Sequence, residues 1–430
     1  MTKTTEPKNT RRPAPGTHAV VESYLAPPPP LHGKIIGLDC HPDTFTAAVF
    51  TGQTPHDARK LTCRENLPLQ AMLDWAAREF GPQDLFLLEA GSNSFEVCAR
   101  LLALGLRAIV LESCHVGKHA KTYADNDKMA AARIALVFLA GNAPCVWVPD
   151  AMTRQRRELL HAYGKAVGDH TAAGNSLKAY LNEQGIRPGK RSLAVPGTRQ
   201  WITRQREWTA LQKQLLEDHF IVLEESGRRR QRLTRLVAGE MSTEPLMLRS
   251  MKLLGIGMIN AFALLAIIGD VRRFEQPEKL VAYIGLNPGE RQSGTGKHIK
   301  LGIGKRGRGD MRHLLIQGAH AILRMGKASA LGQWGWKLFA RKGSRNVAVA
   351  AIARKLVVQV WHLLRGNPPT GLESDKSFTI KLQKLAVVLG KELREKLGLG
   401  KSLIESIQEL RKRTQEASLP PPVVLIPEPV

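Results

Sequence analysis

Three acidic residues stand where the local pattern would bring them near one another. Asp39 closes the run Lys34-Ile35-Ile36-Gly37-Leu38-Asp39, and Glu89 closes a second, Asp84-Leu85-Phe86-Leu87-Leu88-Glu89. Both runs are short and apolar and read as buried strands. If those strands are parallel neighbours, their ends set two carboxylates side by side. Asp127 opens the helical stretch Lys128 to Leu139, whose N-terminus can face the same crevice. Clustered carboxylates repel unless a hard divalent cation neutralises them, and Mg²⁺ or Mn²⁺ suits oxygen donors. Each acid also has a plain structural reading: a turn at Asp39, an ion pair at Glu89, a helix cap at Asp127.

A second chemical candidate is the loop Arg291-Gln292-Ser293-Gly294-Thr295-Gly296-Lys297. A hydroxyl attacks a phosphodiester only when a base takes its proton and positive charge meets the developing negative charge. Arg291, Lys297 and His298 would supply that field; the alternative is a solvated Ser/Gly loop. A third candidate, Leu254-Gly255-Ile256-Gly257-Met258-Ile259-Asn260-Ala261, has the shape of a helix-hairpin-helix turn. In such a turn the amides around Gly255 and Gly257 reach a phosphate at a helix N-terminus. Tight helix packing accounts for the same glycines. Two nucleotide-binding shapes fail on context. Gly302 to Gly307 matches GxGxxG without a surrounding βαβ unit and ribose-binding acid. Gly296-Lys297 lacks the flanking residues of a Walker loop.

The elements that must hold these groups fall into blocks. Residues 33–150 alternate strands with helices: Thr44 to Phe50 pairs with the first strand, Gln70 to Phe80 and Phe95 to Leu104 are helical, and Arg107 to Leu111 is a strand. This is an α/β layer domain. Residues 151–245 read as a helical coiled arm. Its first helix, Arg154 to Gln184, carries Leu160, Tyr163, Val167, Leu177 and Leu181 near heptad positions. Its second, Trp201 to Val237, carries Trp208, Leu211, Leu215 and Val222, and a Gly/Pro loop (Gly185 to Gly197) joins the two. His170 and Asp218 interrupt the seam. Residues 246–366 form a mainly helical basic domain; between Arg291 and Arg345 there are thirteen Lys/Arg and one acid, Asp310. Residues 1–32 are a basic, proline-rich arm, and 367–430 a charged helical tail with an unstructured end.

The formal charge of +25 over 430 residues favours a polyanionic partner, and nucleic acid first. Five scattered cysteines without CxxC spacing read as buried thiols rather than a zinc site. With no run of 18 apolar residues and a polar start, the expectation is a cytoplasmic protein without a membrane partner.

Taken in order, several stretches resemble one family, the Piv-type DEDD transposases of bacterial insertion sequences (family one hundred and ten, eleven-eleven subgroup). They are IIGLDCH, FLLEAGSNSFEVCARLLALGL, NDKMAAARIALVFLAGNAPCVWVPD and LLGIGMINAFALLAIIGDVRRF. They continue with VAYIGLNPGERQSGTGKHIKLGIGKRGRGDMRHLLIQGAHA and RNVAVAAIARKLVVQVWHLLRG, covering roughly residues 33–366. The resemblance implies a RuvC-like, RNase-H-type N-terminal domain, a helical arm and a C-terminal transposase domain. Asp39, Glu89 and Asp127 fall on the first three acids of the DEDD set, as ligands of Mg²⁺ or Mn²⁺, and Ser293 falls on the family's nucleophilic serine. Arg291, Lys297, Lys305, Arg306, Arg308 and Arg312, with Gly255 and Gly257, are then the expected nucleic-acid contacts. DNA, a structured noncoding guide RNA and a homo-oligomer, dimer or tetramer, are the implied partners, the serine domain of one subunit meeting the carboxylate domain of another.

One departure bears on activity. The family writes its last two acids as D-x-x-D-A, one helical turn apart, whereas this chain reads Asp127-Lys128-Met129-Ala130-Ala131. Ala130 stands at the fourth acid, and Asp125 lies two residues the wrong way along a helix. The leading expectation is a recombinase forming a serine–DNA intermediate. The alternatives are a binding-only descendant and, further off, a RuvC-like junction nuclease.

Overall fold

The computed structural model describes residues 33–119, 126–291, 299–304, 306–326, 329–367 and 374–415. The chain divides into two compact units between Pro149 and Asp150. The first is an α/β unit and the second is mainly helical. The expected arm at 1–32 and the chain end after 415 lie outside the described residues.

The first unit is built on a six-stranded sheet of order β3-β2-β1-β4-β5-β6. Its strands are β1 (Ile35–Cys40), β2 (Thr44–Thr51), β3 (Arg59–Pro68), β4 (Leu85–Glu89), β5 (Arg107–Leu111) and β6 (Cys145–Val146). The helices are α1 (Leu69–Glu79), α2 (Ser94–Ala103), α3 (Ser113–Gly117) and α4 (Asp127–Leu139). β1, β4 and β5 run parallel, while β2, β3 and β6 are antiparallel to their neighbours. Strand alternation sends Ile36, Leu38, Phe86 and Leu88 to a core with Met72, Trp75, Val97 and Leu101 of α1 and α2. The opposite residues, Ile35, Leu85, Leu87 and Leu111, pack with Ala131, Ile134 and Ala135 of α4. α4 reaches the sheet closely because residue 37 is glycine. A Cβ there would lie 2.0 Å from the Ala131 carbonyl oxygen.

The expected strands and helices of this unit are present, with three additions: β3, β6 and the five-residue α3. β3 is mostly exposed, so its sequence shows no buried alternation, and its pairing with β2 is interrupted by register shifts. β6 is two residues long. The thiols are mixed in setting: Cys98 is buried but Cys114 is exposed, contrary to the expectation of five buried thiols.

The second unit begins with two long helices, α5 (Ala151–Glu183) and, after a short α6 (Pro196–Thr203), α7 (Ala210–Thr243). α7 starts nine residues later than expected because Thr209 and Gln212 form a capping box that fixes its first turn. The buried face of α7 also differs from the expected stripe. Leu216, Phe220 and Leu223 pack with Leu177, Leu181 and Ile202, whereas Leu211, Leu215 and Val222 are exposed. Both stripes repeat at three to four residues, so spacing alone did not choose between them. His170 does enter the α5–α7 seam, where Nδ1 lies 3.1 Å from the Ser226 hydroxyl; Asp218 is exposed.

The remainder comprises α8 (Pro245–Ser250), α9 (Met258–Ile268), α10 (Pro277–Ile284), strands β7 (Pro288–Arg291) and β8 (Ile299–Ile303), and α11 (Gly309–Met325). It ends with α12 (Ala330–Lys342), α13 (Arg345–Leu364), α14 (Asp375–Lys396) and α15 (Leu403–Arg413). One hydrophobic core joins the end of α7 to α9, α11 and α13, and it includes Phe378, Leu382 and Leu385 of α14 and Leu410 of α15. The charged tail helices therefore belong to this core. By length and composition α13 is apolar enough to cross a membrane. Its residues Ile352, Leu356, Val357 and Val360 are fully buried in the same core, as in a central helix of a globular domain.

Candidate metal centre

Residues 35, 37 and 39 of β1 and 85, 87 and 89 of β4 alternate toward α4. The β1–β4 register pairs Leu38 with Leu88, so Asp39 and Glu89 come level at the strand ends on one face. α4 starts over that face. Asn126 fills its N-cap by accepting the Met129 amide at 2.9 Å, which removes capping as the explanation for Asp127.

The Asp127 carboxylate instead meets His41. His41 Nε2 lies 3.3 Å from Asp39 Oδ2 and 3.4 Å from Asp127 Oδ1. One donor atom from each of Asp39, His41 and Asp127 falls within 4.8 Å of the others. Among the described residues this is the one cluster of three such donors. The two His41 contacts are longer than charge-assisted hydrogen bonds of about 2.7–2.9 Å, so the imidazole bridges the acids loosely. Burial raises the Asp39 carboxyl above its ordinary range, and the nearby Asp127 charge adds to that; His41 and Arg133 act in the opposite direction. Burial also pushes the neighbouring Cys40 thiol up to about 12, which keeps it protonated and unreactive.

Sequence reasoning missed His41. Its signal was the Asp-x-His spacing, because residues two apart at a strand end project to one side. The turn carrying it is braced from the loop after β4: Asn93 Nδ2 donates to the His41 carbonyl at 2.9 Å, and the His41 amide donates to the Thr44 carbonyl at 3.0 Å. Glu89 shares the face and level of Asp39 but stands outside the 4.8 Å group. Ala130, one turn along α4 from Asp127, is half-buried and offers no donor.

The donor set fits a divalent cation. Two carboxylates held close together, one of them half-exposed at Asp127, are relieved by a positive ion. The imidazole nitrogen suits Mn²⁺ better than Mg²⁺, which prefers oxygen donors.

Ser293, Lys297 and Lys305 lie outside the described residues, as does Asp125. Arg291 is described only as the last residue of β7, which pairs with β8. Arg306 is exposed. Arg308 is half-buried and holds Asp310 through two contacts, Nη2–Oδ2 at 2.6 Å and Nε–Oδ1 at 3.1 Å. Arg312 Nη1 donates to the carbonyls of Ile284 and Arg306. Gly255 has φ +75°, and a Cβ there would lie 2.7 Å from the Gly318 carbonyl oxygen, so close helix packing requires this glycine. Gly257 begins α9 with open space around it. The Gly255 turn has its carbonyls tied down: Lys381 Nζ of α14 donates to Met251, Leu253 and Ile256 at 2.9, 3.0 and 2.7 Å.

Fold and site thus define a protein with a candidate cation centre at the end of an α/β sheet and a separate basic helical unit. Residues 247–333 match the model of the IS116/IS110/IS902 transposase family. The chain is 29% identical over 311 residues to a putative transposase, y4qE, of Sinorhizobium fredii, covering 65% of this chain and 75% of that one. It is 28% identical over 338 residues to a probable family 20 transposase of Pseudomonas aeruginosa, covering 76% and 96%. Over 112 residues it is 39% identical to the transposase for insertion sequence element IS1111A of Coxiella burnetii, covering 26% and 30%. The chain is thus similar to that transposase family over residues 247–333, and to the named transposases over the stretches given.

Proposed function

We propose that this chain is a DNA transposase that moves an insertion sequence through cation-assisted phosphoryl transfer. The observation that carries the reading is the convergence of Asp39 and Asp127 at the sheet end, with Glu89 level beside them. The strand order, with β1 central and β4 and β5 parallel to it, supports a RuvC-like reading of the first unit. A Mg²⁺ or Mn²⁺ ion held there would offset charge on a DNA phosphate and favour ionisation of an attacking hydroxyl.

In this reading the Ser293 hydroxyl attacks a DNA phosphorus. Its Oγ–P bond forms as the P–O bond to the departing deoxyribose oxygen breaks, and that oxygen takes up a proton. Asp39, Glu89 and Asp127 would hold the cation with the His41 imidazole as a further donor, and basic side chains of the second unit would grip the backbone. A structured guide RNA and a dimeric or tetrameric assembly complete the reading through the family resemblance and the charge of +25.

A second reading rests on Ala130, half-buried one helical turn along α4 from Asp127, where the family resemblance expects a fourth acid: a descendant that binds nucleic acid without cutting it. Covalent trapping separates the two. Protein, flanking-element RNA and labelled element-end DNA are incubated with Mg²⁺ or Mn²⁺ and resolved on a denaturing gel. The expected result is an adduct that vanishes in Ser293→Ala and Asp39→Ala. Tight binding without an adduct, in wild type and in Ala130→Asp alike, establishes the binding-only descendant.

A further inference from the structure

The helical unit displays one large aromatic ring that its core does not use. All seven tryptophans are described, and six are buried or half-buried; Trp336 on α12 is 46% exposed. The two other tryptophans of this region have their faces occupied. Trp334 lies under the Lys355 ammonium, 4.6 Å from the ring centre, and Trp361 carries the Arg365 guanidinium at 5.1 Å. Among the described residues no cation lies over the Trp336 ring.

The exposed ring is nevertheless fixed. Its indole Nε1 donates to the Leu323 carbonyl at 2.8 Å, and it meets the Phe339 ring edge-on with 5.6 Å between centres. Gly332, one turn earlier, seats α12 tightly on the end of α11: a Cβ there would lie 2.6 Å from the Gly326 carbonyl oxygen. An indole whose N–H is satisfied and whose plane is set by a neighbouring ring loses little freedom on receiving a flat partner.

The surroundings carry one sign of charge. From Met311 to Leu372 the sequence holds ten Lys/Arg and no Asp or Glu. Arg324 follows the carbonyl that holds the indole. It is exposed, as are Lys337, Arg341, Lys342 and Arg345, and none of the five forms an ion pair with a described residue. Arg341 lies five residues from Trp336, about 7.5 Å along the helix axis, or about two steps of a stacked strand. Such a field draws a polyanion, and a flat face among the cations favours one that brings rings of its own. Paired bases are already stacked within their duplex, so the indole suits an unpaired nucleotide. A second copy of this chain is a poorer occupant, because a two-fold contact sets the five cations against the same five.

We propose that Trp336 is a stacking platform for an unpaired base of a nucleic-acid strand, with Arg324, Lys337 and Arg341 meeting its phosphates. The platform rests on the transposase reading for its polymer and adds the form in which that polymer is held there, as a single strand.

Binding of the full chain to three short strands of equal length tests this: single-stranded DNA, its RNA counterpart and an abasic sugar–phosphate strand, with duplex DNA alongside. Trp336→Ala is expected to weaken the base-bearing strand by about 5- to 150-fold, the loss of one base–aromatic stack, and to leave the abasic strand unchanged. Whichever of DNA and RNA loses more is the polymer seated on the ring. Trp336→Phe keeps an aromatic face and is expected to stay within about threefold of wild type, while losing part of the tryptophan quenching that accompanies binding. Equal affinity of wild type and Trp336→Ala for both base-bearing strands overturns the platform. An equal loss on the abasic strand also overturns it, since Trp336 then only supports backbone contacts. So does self-association of the wild type that Trp336→Ala abolishes, because a second copy then covers the ring. Each of these leaves the transposase reading standing while duplex DNA still binds; a wild type that binds none of the four ligands removes that reading and the platform with it. If Trp336→Ala does not fold, quenching carries the test: it is expected with base-bearing strands, absent with the abasic strand and reduced in Trp336→Phe, and quenching indifferent to that substitution overturns the platform.

Discussion

The sheet end and the basic unit use charged residues in opposite ways. At the sheet end three side chains, Asp39, His41 and Asp127, turn toward one another. In the basic unit many cations turn inward to the main chain. Lys381 ties three carbonyls of the 251–256 turn, Arg157 ties two at the end of α9, and Arg413 reaches the carbonyls of Ser242 and Leu397. A count of positive charges therefore overstates the number of phosphate contacts, whereas the few acids at a strand end understate nothing. The difference is one of competition. A lysine or arginine has backbone carbonyls within reach everywhere, but a carboxylate at a strand end beside a capped helix has few donors to meet.

Two substitutions sharpen that contrast. Gly37→Ala puts a methyl group against the Ala131 carbonyl and forces α4 away from β1, with an expected destabilisation of about 1–3 kcal/mol. Because α4 carries Asp127, Mn²⁺ affinity should fall alongside the thermal midpoint; a loss of stability with unchanged affinity would uncouple α4 from the site. Lys381→Met leaves three carbonyls without their ammonium donor and should cost about 1–3 kcal/mol, read as a lower urea midpoint at constant m. The same variant should keep its nucleic-acid salt slope, and a reduced slope would show Lys381 to be a phosphate ligand after all.

The smallest effect is one of pH. The Asp39 carboxyl is raised by burial, so the native protein binds its proton more tightly than the unfolded chain does. Stability without a cation should then fall as pH rises from the unfolded value through the raised one. Asp39→Asn should flatten that fall and raise the midpoint at neutral pH. A pH profile identical to wild type would contradict the assigned burial.

Much of the first unit was legible because it depends on short periods. Short apolar runs marked β1 and β4, and their expected pairing as parallel neighbours brought the ends at Asp39 and Glu89 side by side. β3 was not legible, since an exposed strand with bulges shows no pattern to read. His41 was hidden because one histidine after a strand has many ordinary explanations, and only the approach of α4 gives it partners. In the arm, the stripe of Leu211, Leu215 and Val222 matched helical spacing as well as the buried Leu216, Phe220 and Leu223 did. Which stripe is buried depends on α5, which no local pattern specifies. Gly255 could be recognised as special, but its reason, the approach of Gly318, lies more than sixty residues away in sequence.

The central claim, that the sheet end holds a divalent cation, is tested most directly by titrating Mn²⁺ into the full chain and following the heat of binding. The account expects one site per chain in the wild type, lost in Asp39→Asn and in Asp127→Ala and weakened in His41→Ala. Ala130→Asp should tighten it by restoring a carboxylate one turn from Asp127. Binding that survives both aspartate substitutions unchanged would contradict the account, because the cation would then be held by other residues.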